Sequence, residues 1–245
     1  MTFSIAIVAS VLGVIAGCAK PRPTLPTVEW KDTDDARRIL AERTHAVRTV
    51  SATGLLTLTR PDGQSVRFDA AFVTAPPDRL RLRAWKIGRA MFDLTLTPDG
   101  LWLLSPEDRS LRDKVKSAGI GAGEVTRQWS LLSGAFFERD GLVTQRIGRD
   151  LRFAARQTDG LTIQCDVDGR TLLPMRYTLQ DHRGRTRFSL TLGDYRMIGE
   201  TPYPHRVRAD SESGRVLVQF DEVELNTDLA PGAFVPPRRA EKIEP

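Results

Sequence analysis

Arg79-Leu80-Arg81-Leu82-Arg83-Ala84 is the stretch that decides the fold. Every second residue is apolar and each one between is arginine, the period-two pattern of a strand with one dry face and one wet face. The alternation continues on both sides. Upstream, Val66, Phe68, Ala70 and Phe72 alternate with Arg67 and Asp69. Downstream, Phe92, Leu94 and Leu96 alternate with Asp93, Thr95 and Thr97. Pro61-Asp62-Gly63-Gln64, Pro76-Pro77, Ile87-Gly88 and Pro98-Asp99-Gly100 separate the runs. Proline and glycine at such points suit tight reversals. With residues 51–59 in front and 101–105 behind, the spacing predicts a five-stranded antiparallel meander.

The pattern breaks at Pro106. Residues 107–116 are charged, and Gly119, Gly121 and Gly123 follow. Val125, Trp129, Leu132 and Phe136 then recur at helical spacing, predicting a helix that ends near Arg139 on a glycine hinge. The glycine spacing is that of neither a dinucleotide loop nor a P-loop. Alternation resumes near Leu142, clearly by Leu151, and continues through Phe153, Ile163, Leu190 and Leu192 to Leu225. Asp166-Val167-Asp168-Gly169 lacks the closing acidic ligand of a calcium loop and reads as a turn. Ahead of the first strand, Asp32 to Asp35 open a helix running to about Arg48. Its apolar stripe is Ala36, Leu40, Val47 and Val50, and Arg37, Arg38, Glu42 and Arg43 form its wet side. The expected fold is mainly β (α+β): a curled sheet of about eleven strands, with one helix before it and one in mid-chain. Residues 32–237 form the domain and 238–245 a loose charged tail.

Eleven strands make a sheet roughly 50 Å wide. Each helix covers about 10 Å of it. The sheet must therefore curl, and an apolar cavity is expected under the helices. Its candidate lining is Phe68, Phe72, Leu80, Leu82, Phe92, Leu94, Leu96, Trp129, Leu132, Phe136, Phe153, Ile163, Leu190 and Leu192.

Other functions find little support. The net charge is +5, but its arginines are spread over many strands, and no aromatics interleave with them. Nucleic acid is not an expected partner. His45, His182 and His205 fall on a helix, a turn and a strand, with neither a nucleophile elbow nor a His-Glu-x-x-His motif. No enzyme activity, metal or cofactor is expected. Cys165 lies on the apolar side of its strand and reads as a buried small hydrophobe.

The N-terminus adds an address. The apolar run of residues 5–15 is too short to span a bilayer, which takes about 20 residues, and fits an export signal. No Lys or Arg precedes it, as a signal normally has. Ile15-Ala16-Gly17-Cys18 resembles the lipobox of bacterial lipoproteins. That resemblance implies removal of residues 1–17 and lipidation of Cys18. Ala19, where an Asp would imply inner-membrane retention, implies the outer membrane. Residues 18–31 read as a tether. Pro21, Pro23 and Pro26 within it imply an extended segment of about 20–25 Å.

The chain as a whole resembles the LolA/LolB superfamily of lipoprotein-sorting carriers. The features are the lipobox, the leading helix, the long meander and the mid-chain helix. The closing stretch agrees too, from Phe220-Asp221-Glu222-Val223-Glu224-Leu225-Asn226 to Phe234-Val235-Pro236-Pro237. The resemblance implies an incomplete eleven-stranded barrel with helices over a cavity for acyl chains. Cys18 points to the LolB-like side, and Ile87-Gly88 matches that group's membrane-insertion loop. The implied function is a non-catalytic, lipid-anchored carrier or acceptor of acyl chains in sorting to the outer membrane. Its implied partners are lipids or lipoproteins, the membrane and a periplasmic carrier protein, and a monomer is expected. A second reading is an envelope assembly lipoprotein that binds another component through its sheet.

Overall fold

The computed structural model describes residues 25–106, 131 and 135–243. Among them lie one helix, α1 (Thr33–His45), and thirteen strands. The first meander is β1 (Val50–Thr59), β2 (Ser65–Ala75), β3 (Arg79–Lys86), β4 (Arg89–Thr97) and β5 (Gly100–Leu104). The second is β6 (Val143–Ile147), β7 (Asp150–Arg156), β8 (Thr162–Asp168), β9 (Leu173–Gln180), β10 (Thr186–Ile198), β11 (Thr201–Ser211) and β12 (Gly214–Leu225). A last strand, β13 (Glu241–Ile243), follows. All thirteen form a single sheet in the order β13-β5-β4-β3-β2-β1-β12-β11-β10-β9-β8-β7-β6. Its two edges, β13 and β6, do not pair with each other, so the barrel is incomplete.

The two meanders join where β1 pairs antiparallel with β12, with a bulge between Thr53 and Gly54. Glycine is required there by proximity. A Cβ on Gly54 would lie 2.1 Å from the Gln219 carbonyl oxygen and 2.8 Å from Phe220 Cα.

Asp32 caps α1 by accepting from the backbone N–H groups of Asp34 and Asp35 at 3.1 and 2.9 Å. The helix ends at His45, a turn earlier than expected. Asn226 holds the exit: its Nδ2 donates to the Ala46 carbonyl and its Oδ1 accepts from the Arg48 N–H, both at 2.7 Å. These bonds satisfy groups that one more helical turn would have used. Arg37 joins the other side of α1 to the chain after residue 134, donating to the carbonyls of Phe137 and Arg139.

Among the described residues the strand number departs from expectation. The two added strands are β6 and β13. In β6 only Thr144 is partly covered among exposed neighbours, so there is little alternation to read. β13 sits in the expected loose tail; Ile243 is 1% exposed and packs with Leu80, Leu96, Leu101 and Leu103. The mid-chain helix falls mostly outside the described residues. Its described end, residues 135–138, is a turn that buries Phe136 and Phe137. Part of the expected tether, residues 18–24, lies outside the described residues, and its described end is bound to the fold. Val28 donates its N–H to Arg170, and Trp30 donates Nε1–H to Gly169, both at 2.8 Å.

Two larger clusters fill most of the concave side. Under α1, Ala36 and Leu40 pack with Phe136, Phe137, Phe153, Ile163, Tyr177 and Leu190. Across β1, β2 and β12, Val50, Leu56, Phe68, Phe72, Val218 and Phe220 form the second. No helix among the described residues is long and apolar enough to cross a membrane.

Candidate functional site

The site begins at a fork in the sheet. β11 pairs with β12 only over residues 206–211. Residues 201–205 of β11 continue beside β10 alone, and residues 220–225 of β12 continue beside β1 alone. The cause is legible in Thr201-Pro202-Tyr203-Pro204-His205. Proline has no N–H to give a ladder, so Pro202 and Pro204 suit an unpaired strand side. His205 meets part of the loss, its Nδ1 lying 3.2 Å from the Tyr203 carbonyl oxygen.

A cavity of about 130 Å³ opens in this fork. Pro202, Tyr203, Pro204 and Val207 line one arm, and Val218 and Phe220 the other. Val50, Phe72 and Thr74 come from the first meander; Leu173, Pro174, Tyr177, Leu192 and Tyr195 come from β9 and β10. Leu40, Arg43, Thr44 and Val47 roof it from the end of α1 and the chain after it. An engineered cavity of similar volume holds one benzene, so this one accommodates about six carbons.

The walls are almost wholly apolar, and their polar groups are mostly paired. Tyr195 donates its hydroxyl to the Pro174 carbonyl at 2.6 Å. Burial pushes the phenols of Tyr177, Tyr195 and Tyr203 up, so all three stay neutral. Two groups stand apart. The Thr74 hydroxyl is buried without a hydrogen-bond partner among the described residues. Among the described residues, Arg43 is the one charged residue of the lining. Sequence placed it on the wet side of α1, yet it is half-buried and donates from Nη1 to the Thr171 carbonyl at 2.8 Å. Burial alone pulls its guanidinium below the ordinary value.

Of the expected lining residues, Phe72 and Leu192 reach this cavity. Phe68, Leu82 and Phe92 sit in the second cluster, Leu80, Leu94 and Leu96 in the third, and Phe136, Phe153, Ile163 and Leu190 in the first. Trp129, Leu132 and Cys18 lie outside the described residues. Sequence reading missed Arg43, Thr74 and the arm of Pro202, Tyr203 and Pro204. The paired prolines were the available signal for the last three.

Ile87 and Gly88 form the β3–β4 hairpin tip, with φ of 50° and 73°. Positive φ at both central residues suits a two-residue hairpin, but a β-branched residue adopts it at a cost. Ile87 is 91% exposed and lies between Lys86 and Arg89. Elsewhere, burial pushes the Cys165 thiol up, which makes it inert, and pulls the His205 imidazole down. His45 lies 3.3 Å from Glu138. Among the described residues, no group of three or more His, Cys, Asp or Glu side chains is placed to hold a metal.

The sequence matches no family model and no curated relative. The architecture is nevertheless shared with solved structures. A LolA superfamily protein from Nitrosomonas europaea superposes with a TM-score of 0.53 at 10% identity, over 81% of this chain and 97% of its own. A putative outer membrane lipoprotein-sorting protein domain from Vibrio parahaemolyticus gives 0.56 at 12% identity, over 82% and 95%. A DUF1329 family protein from Desulfovibrio piger gives 0.56 at 10% identity, over 83% and 98%. At these identities the likeness is one of fold alone.

Proposed function

We propose that this protein is a non-catalytic carrier or acceptor of acyl chains in the cell envelope, anchored to the outer membrane through a lipid on Cys18. The observation that carries the reading is the apolar cavity in the β11–β12 fork. A LolA-like fold, one of whose neighbours is described as a lipoprotein-sorting domain, supports it. So does the lipobox-like Ile15-Ala16-Gly17-Cys18. Each methylene moved from water into such a cavity contributes about 0.8 kcal/mol. Room for about six carbons stabilises a bound chain end by about 5 kcal/mol before the costs of association.

The Ile87 hairpin gives this carrier a way to meet a bilayer. An exposed aliphatic side chain between Lys86 and Arg89 suits an interface of acyl chains below and anionic headgroups above. One observation favours a second reading, envelope assembly. The edge strand β6 exposes Val143 and Ile147, 66% and 43% accessible, and can accept a strand from another protein.

Titration of the purified full chain with a fluorescent fatty-acyl probe tests the first reading. One equivalent should bind. Val47→Phe, which puts a ring into the cavity from its half-buried roof, should weaken binding at least tenfold with little change in melting temperature. Undiminished binding to the folded variant would place the ligand elsewhere.

A further inference from the structure

We propose that the ligand of the fork cavity is an amphiphile with an anionic head, carboxylate or phosphate, and that Arg43 recognises that head while the apolar tail fills the fork. This rests on the acyl-binding reading above and specifies the class of ligand.

The argument starts from what Arg43 lacks. The other arginines of comparable burial are answered on the protein. Arg81 meets Asp93 at 2.7 Å, and Arg152 meets Asp166 at 2.7 Å. Arg37, on the same helix, uses both Nε and Nη2 on carbonyls. Arg43 holds one good bond, from Nη1 to Thr171, and a marginal one of 3.5 Å to Leu172. A guanidinium carries five N–H donors in a planar fork, so most of its donor capacity is uncommitted. It has no carboxylate within ion-pair reach among the described residues, and it borders an apolar cavity. A cation that has lost water without gaining an anion favours a ligand that brings one, and the planar fork suits the two oxygens of a carboxylate or phosphate.

Helix geometry alone offers a simpler role, since a cation in the last turn complements the helix dipole. That role needs no cavity. Thr74 gives an independent reason to look for a polar ligand group. Its hydroxyl lines the same cavity, is buried, and has no hydrogen-bond partner among the described residues. An orphaned hydroxyl in an apolar wall is costly unless something else pairs with it. A pure hydrocarbon would leave both groups unanswered. An acyl ligand with oxygen at one end answers them.

The test compares three ligands with the same eight-carbon tail: nonanoate, octyl phosphate and octanol. Each is titrated into the full chain and into Arg43→Gln and Arg43→Lys. Both anions should bind the wild-type chain at least tenfold tighter than octanol. In Arg43→Gln that preference should fall to about twofold, and Arg43→Lys should restore part of it. Tighter binding of one anion than the other tells which head the site prefers. Equal binding of octanol and the anions, or an unchanged preference in Arg43→Gln, overturns the role of Arg43 but leaves the acyl cavity standing. Failure of all three ligands to bind overturns the cavity reading as well.

Discussion

Beneath α1, Phe136, Phe137, Phe153 and Tyr177 meet edge to face with centroids 5.2–5.7 Å apart, and all four are fully buried. In the fork, Phe72 and Phe220 also meet edge to face at 5.2 Å, with Tyr203 tilted against Phe220 at 6.3 Å, yet a cavity of about 130 Å³ remains. Both regions are rich in aromatic side chains, so hydrophobicity does not separate them. Backbone pairing does. Under the helix, β7 to β10 stay paired strand to strand, with one irregularity at Asp166/Val167 and one at Thr186/Phe188, and α1 together with the turn at residues 135–138 supplies side chains from above. At the fork two prolines interrupt the ladder, and only the last turns of α1 and Val47 lie over it.

Substitutions in the two regions should therefore differ in kind. The largest effect is expected in the filled region. Phe153→Ala should cost about 3–5 kcal/mol, read from urea unfolding, because a closed aromatic cluster cannot collapse around the gap. Leu192→Ala, on the cavity wall, should cost nearer 2 kcal/mol, since part of its surface already faces space. Equal losses would break the comparison. Gly54→Ala tests the seam between the meanders. Its Cβ would strike the Gln219 carbonyl, and a loss of about 1–3 kcal/mol is expected, with earlier hydrogen exchange in β1 and β12. Thr74→Val should stabilise the ligand-free chain by about 1 kcal/mol, because it removes an unanswered hydroxyl from the fork wall.

The smallest effect appears only in acid. Burial pushes the Asp181 carboxyl up, but the N–H groups of Arg185 and Arg183 and the Arg185 guanidinium outweigh it and hold the group down at about 2. Its ordinary value is 3.8. A carboxyl lowered in the folded state contributes stability that is present above pH 3.8 and lost as pH falls toward 2. Asp181→Asn should flatten that part of the melting-temperature profile and leave acyl binding at pH 7 unchanged, since the β9–β10 turn does not line the cavity.

The contrast also explains what could be read from the sequence. Strands such as β3, with Leu80, Leu82 and Ala84 set between arginines, announce themselves because alternation is local. β13 does not, because three residues carry no period and Ile243 gains its meaning only beside Leu101. The existence of a cavity followed from sheet width, but its position did not. It depends on β1 meeting β12, a pairing between distant parts of the chain. Candidates such as Phe153 and Ile163 carried the same inward signal as Phe72 and Leu192; the pattern tells which face is apolar but not where the filling stops. Pro202 and Pro204 did mark that place. Arg43 was hidden for another reason. At helical spacing it belongs to the polar side, and only the chain at Thr171 and Leu172 folding over it makes it part of a wall.

The central claim is that an acyl chain end occupies the fork. A crystal structure of the protein with an octanoate carrying bromine at its tail end tests it most directly. The account predicts anomalous bromine density among Phe72, Tyr203 and Phe220, with the carboxylate at Arg43. Bromine density found only at other sites, with the fork empty, would contradict it.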